Sequence, residues 1–102
     1  MKLLFVTSIK EQQEAVGKLL SASGIHVFSV TETTGIKDHP PVNMLDEWFS
    51  AGKEKFDSVF LFSFTDSQSA DNAIEAIKAY NIETNNHFPV RAFILPVEKS
   101  SY

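Results

Sequence analysis

Asp57-Ser58-Val59-Phe60-Leu61-Phe62-Ser63-Phe64-Thr65 is the stretch on which the fold turns. Its β-branched and aromatic density predicts a strand. Successive side chains of a strand point to opposite faces, so Val59 and Leu61 share one face while Phe60, Phe62 and Phe64 share the other. Both faces of the sheet are therefore apolar, and helices packed on one side leave the other to be covered differently.

Working outward toward the C-terminus, Asp66, Ser67 or Ser69 is placed to cap a helix. Ala70, Ala73, Ile74, Ile77 and Tyr80 then recur at helical spacing. A polar stretch, Asn81 to His87, leads to a last strand over Val90 to Val97, where Ala92 and Ile94 alternate with Phe93, Leu95 and Val97. Toward the N-terminus, Gly35 to Phe56 reads as a connection of 22 residues that contains Pro40-Pro41 and Gly52. Connections this long inside a small domain are uncommon and often functional. Before it, Ile25 to Thr34 reads as a second strand and Gly24 as the stop of a first helix. That helix carries Ala15, Val16, Leu19, Leu20 and Ala22 on one face, and Ser8-Ile9-Lys10-Glu11 has the form of a capping box at its start. Lys2 to Ile9 is the first strand, with Leu3 and Phe5 alternating against Leu4 and Val6.

Strand-helix-strand twice over, with right-handed crossovers, is the ferredoxin-like α+β sandwich: βαββαβ, four antiparallel strands with both helices on one face. The expected organisation is one domain over residues 1–102 with a long loop at about 35–56. The second apolar sheet face is larger than a monomer ordinarily exposes and predicts an oligomer packed through its sheets.

Composition narrows the function. Nine basic against thirteen acidic residues give a net charge of −4, which opposes a broad phosphate-binding surface and hence nucleic acid as a partner. Cysteine is absent, so disulfides and thiolate chemistry are excluded. No apolar run approaches the ~20 residues of a membrane span, and Leu3-Leu4-Phe5-Val6 is too short for a signal-peptide core, so the expected location is the cytoplasm. No nucleophile–base motif or paired carboxylates stand at a recognisable spacing, and the chain is not expected to be an enzyme.

Two stretches carry a resemblance. Gly24-Ile25-His26-Val27-Phe28-Ser29-Val30-Thr31-Glu32-Thr33-Thr34-Gly35 resembles the second strand of the P-II nitrogen-regulator superfamily, which ends in a glycine before a long protruding loop. Ala92-Phe93-Ile94-Leu95-Pro96-Val97-Glu98 is similar to the last strand of that family, which closes in Leu-Pro-Val-Glu. The resemblance implies a trimeric signalling protein that binds a small ligand between subunits and acts on a partner, a transporter or an enzyme, through the 35–56 loop. It carries ligand contacts onto Ser29, which matches a strand hydroxyl at adenine, onto Gly35 at the loop base, and onto Arg91, which stands where the family has a phosphate-binding lysine. Lys37, just past that glycine, joins the same candidate set. The bound species implied is an adenine nucleotide, or a divalent metal as in the related divalent-cation tolerance proteins.

The sequence also departs from that pattern. Where classical members carry a glycine-rich turn whose amides cradle phosphate, this chain has His87-Phe88-Pro89-Val90. Proline has no amide to donate and phenylalanine brings bulk where glycine allows close approach. The loop contains no tyrosine, and a divergent member of the superfamily is expected.

Three further groups have two readings each. Met44, Trp48 and Phe49 fit an amphipathic turn in the loop that either anchors a partner or folds back over the sheet edge or a neighbouring subunit. Arg91 is an isolated cation on an apolar strand, for a ligand or for a carboxylate. His26, His39 and His87 are either ordinary polar partners or metal ligands, the latter only if an oligomer gathers them, since no two share a ligand-like spacing. Other functions for the same architecture are an amino-acid-sensing module and an RNA-recognition module. The latter lacks the basic and glycine residues of its third-strand motif.

Overall fold

Strand pairing builds one sheet in the order β2-β3-β1-β4, antiparallel throughout. β1 is Lys2–Ile9, α1 Gln13–Ala22, β2 Ser29–Asp38, β3 Lys53–Thr65, α2 Ser67–Thr84 and β4 Arg91–Pro96. The structure, a computed structural model, describes residues 1–38, 53–85 and 87–101. This is the ferredoxin-like βαββαβ arrangement that the strand and helix order predicts.

Leu4, Val6, Val59 and Leu61 point from the two central strands toward the helices and are almost fully buried. Val16 and Leu20 of α1 and Ala73 and Ile77 of α2 close over them, with Ile25 and Val90 completing the core. Asp66 caps α2, its carboxylate accepting from the Ser69 amide at 3.1 Å. The Ser69 hydroxyl first, and then that amide, hold the Asp66 carboxyl below the usual aspartate range.

Neither described α-helix lies on the other sheet face. Register sets Leu3 opposite Phe64 and Leu95, and Phe5 opposite Phe62 and Phe93. Phe5 stacks on Phe60 with ring centroids 5.1 Å apart, and Phe60 on Phe62 at 6.1 Å. Phe64, Phe93 and Leu95 are exposed.

Three local expectations need correction. Helix α1 is not entered through a capping box: Lys10–Gln12 form a 3-10 turn whose N-cap, Ile9, makes no side-chain cap bond. Ser8 is buried on β1 and donates its hydroxyl to the Ile9 carbonyl instead. β2 begins at Ser29 rather than Ile25. The Ile25 amide is taken by the Leu20 carbonyl at 2.9 Å as the chain leaves α1 through Gly24 at φ 96°, so it is unavailable to the ladder. The 35–56 connection is shorter than expected, because Gly35–Asp38 continue β2 and Lys53–Phe56 begin β3. The breakers Pro40, Pro41 and Gly52 all fall between the two strands, outside the described residues.

The result is an arm. β1 covers β3 only from Thr65 back to Ser58, whereas β2 pairs with β3 as far as Asp38 opposite Lys53. From Asp57 back to Lys53, β3 therefore has one neighbour among the described strands, and residues 34–38 and 53–57 pair as a two-stranded projection.

Candidate ligand cleft

At the base of that arm is a cleft of about 410 Å³. Thr7 and Ile9 at the end of β1 form one side, Gly35 and Ile36 of β2 with Phe56 of β3 form the arm side, and His87, Phe88, Pro89 and Arg91 form the third. Thus the cleft unites the arm, the central strand and the turn before β4.

Its arm side depends on a glycine. Gly35 stands directly across from Phe56, and a Cβ on Gly35 would overlap the Phe56 ring. The absence of that Cβ lets the ring lie over β2. Phe56 then meets Phe88 across the cleft, centroids 5.2 Å apart and planes at 48°. One aromatic contact joins the arm to the turn before β4.

Two side-chain amides hold that turn. Gln12, buried at the start of the first helix, donates from Nε2 to the Phe88 carbonyl at 3.0 Å. Its Oε1 is buried without a hydrogen-bond partner among the described residues. Asn81 of α2 grips Val90 twice, donating from Nδ2 to its carbonyl at 2.7 Å and accepting from its amide at 2.9 Å. The backbone from Phe88 to Val90 is thereby fixed to the 3-10 turn before α1 and to α2.

The polar groups divide into spent and available. Ser8 and Ser58 both line the cleft, but their hydroxyls donate to the carbonyls of Ile9 and Ser8. Arg91 is exposed and makes no ion pair with a described residue. No aspartate, glutamate or lysine is among the described residues lining the cleft. A hollow of 450 Å³ between α1 and β2 is slightly larger, but its cation, Lys10, is already committed to Glu32 at 2.8 Å. That hydrogen bond raises the Lys10 pKa and lowers that of Glu32.

Of the candidate ligand residues, Gly35 and Arg91 meet in this cleft, and Ser29 does not line it. Ser29 is the first residue of β2, opposite Phe62, six residues from Gly35 along the strand. Lys37 follows Gly35 on β2, its backbone opposite Glu54, and its side chain lies outside what the structure describes. His87 lines the cleft. His26 precedes β2, next to Val27, whose carbonyl accepts from Ser63, so the chain places it toward the opposite end of the sheet from Ser58 and the cleft. His39, Met44, Trp48 and Phe49 lie outside the described residues. Among the described residues no group of three His, Cys, Asp or Glu side chains converges as a metal requires, and no helix is long and apolar enough to cross a membrane.

Phe56 in the cleft, and Gln12 and Asn81 that hold its turn, are residues that sequence reasoning missed. A signal existed for two of them. Gln12 precedes Val16 and Leu20 by four and eight positions, and Asn81 follows Ala73 and Ile77 by eight and four. Each is a polar residue on a buried helical stripe, where a hydrogen-bonding role is the expected reason for its presence.

No protein-family profile matches the sequence, and no curated protein is significantly similar to it. Among solved structures, the chain is similar to a protein from Thermus thermophilus provisionally described as a PII-like signalling protein. The match covers 91% of this chain and 82% of that one, with a TM-score of 0.62 and 12% sequence identity. At that identity the likeness shows the fold, which is PII-like.

Proposed function

We propose that this chain is a non-catalytic, cytoplasmic regulatory protein that binds a small ligand in the cleft beneath the β2–β3 arm and signals its occupancy to a protein partner through that arm. The observation that carries the reading is the shared wall. Gly35 and Phe56 belong at once to the cleft and to the arm, so a ligand that moves Phe56 or Phe88 changes how the arm is seated. A ligand with different affinity for two arm positions shifts their populations by that difference. The likeness to a protein described as PII-like signalling supports the same reading.

The active form is a homotrimer whose subunits meet through the sheet face that α1 and α2 leave uncovered. Phe64 and Phe93 are each more than half exposed there, and an exposed apolar patch of this kind marks an interface.

Thermal shift against adenine nucleotides, amino acids and divalent cations, joined to a solution mass, tests the reading. It predicts a trimer of the 11.4 kDa chain and at least one compound that raises the melting temperature. A compound at about a hundred times its dissociation constant adds ~2.7 kcal/mol to stability, a clear shift. A monomer that answers to none of them contradicts it.

A further inference from the structure

We infer that the ligand of the cleft is a small molecule with a single anionic group, carboxylate or phosphoryl, on a flat apolar body, and not a polyphosphate. The inference rests on the functional reading above and adds the ligand's chemistry.

Among the described residues, the groups of the cleft that can take an anion are few: the Arg91 guanidinium, with the Thr7 hydroxyl and the His87 ring beside it. Arg91 supplies one permanent cation without a carboxylate partner among the described residues. A guanidinium presents a planar fork that takes one carboxylate or one phosphoryl group through two parallel bonds. A di- or triphosphate needs more, typically a run of backbone amides together with lysine or metal ions. Here Pro89 has no amide, no lysine is among the described lining residues, and the Ser8 and Ser58 hydroxyls are engaged by backbone carbonyls.

Beside the polar Thr7, Ser8, Ser58 and His87, the cleft has an apolar part. Phe56 and Phe88 offer two tilted rings, and Ile9 and Ile36 flank them. Aromatic faces take planar bodies in offset-stacked or edge-to-face geometry. A site with one cation and two rings discriminates by requiring both parts of the ligand. The head alone is held by a single solvent-accessible pair, which is weak. Among the described lining residues a cationic or zwitterionic ligand meets no carboxylate for its amine.

The probes are indole-3-acetate for an aromatic carboxylate, adenosine monophosphate for a phosphoryl group on a flat base, adenosine triphosphate, acetate and neutral indole. Each is titrated calorimetrically into the full chain. Expected is binding of indole-3-acetate, the monophosphate or both, at least tenfold tighter than acetate or indole, with the triphosphate no tighter than the monophosphate. Which of the two binds tells a carboxylate ligand from a phosphoryl one. Arg91→Gln weakens that binding tenfold or more, and Arg91→Lys, which keeps charge but loses the fork, falls between. Arg91 is exposed, so the melting temperature of the unliganded variants stays near that of the parent. Triphosphate binding tenfold tighter than monophosphate and sensitive to Arg91→Gln overturns the ligand class while leaving the cleft as the site. Failure of every probe, or binding indifferent to Arg91→Gln, overturns the inference. The functional reading falls only if its own panel and solution mass fail as well.

Discussion

The ring of Phe56 occupies the space in which a side chain of its cross-strand partner Gly35 would stand. Gly35 is therefore required by packing within the chain, before any ligand is considered. The same contact brings Phe56 within reach of Phe88 and so closes the arm onto the cleft.

Gly35→Ala is expected to destabilise the fold by about 1–3 kcal/mol, the usual cost of forcing extra volume into a packed site. In a Phe56→Ala background the same substitution is expected to cost little or to stabilise, because alanine is the better strand residue once the ring is gone. A double-mutant cycle in urea checks this. Equal costs in the two backgrounds refute the packing account of Gly35.

Asn81→Ala leaves the amide and carbonyl of Val90, a residue buried in the core, without their side-chain partner. Unmade bonds of this kind cost about 1–3 kcal/mol. Urea unfolding is expected to show that loss, and Asn81→Asp, which can still accept from the Val90 amide but not donate to its carbonyl, an intermediate one.

Asp66 has its folded-state pKa depressed by the hydrogen bond to Ser69. Its contribution is therefore fully present above the ordinary aspartate pKa and is lost as pH falls through the lower folded value. Asp66→Ala is expected to lower the melting temperature at neutral pH. The gap between variant and parent should narrow as pH drops below the ordinary aspartate range. A gap independent of pH down to that range and below contradicts the cap.

Phe93→Glu places a charge on the sheet face that α1 and α2 leave uncovered, at a position already more than half exposed in the single chain. The folded subunit is expected to tolerate it, while an assembly built through that face dissociates. Sedimentation is expected to return the mass of one 11.4 kDa chain with unchanged circular dichroism. An intact oligomer means that another surface holds it.

The fold was legible because it is written in periodicities. Alternation in Leu3–Val6, Val59–Phe64 and Ala92–Val97 marks three strands, and the four-residue spacing of Ala73 and Ile77 marks a helix. Boundaries were less legible, because they depend on competing hydrogen bonds. Ser8 gave its hydroxyl to Ile9 rather than to a helix start, and Ile25 gave its amide to Leu20 rather than to a strand. Of the cleft, Gly35 and Arg91 could be placed by resemblance. Phe56 could not, since its pairing with Gly35 depends on a register that spans the long connection. Ser29 belongs to the other end of the strand that carries Gly35.

Whether the arm responds to the cleft is read from backbone hydrogen exchange of residues 34–38 and 53–57, with and without whichever of indole-3-acetate and adenosine monophosphate binds, at saturation. Exchange in the arm is expected to slow severalfold together with that at residues 87–91, and Phe56→Ala is expected to abolish the arm's response while leaving that of residues 87–91. Protection confined to residues 87–91 in the parent chain, or an arm whose exchange does not change, would contradict the coupling of arm to cleft.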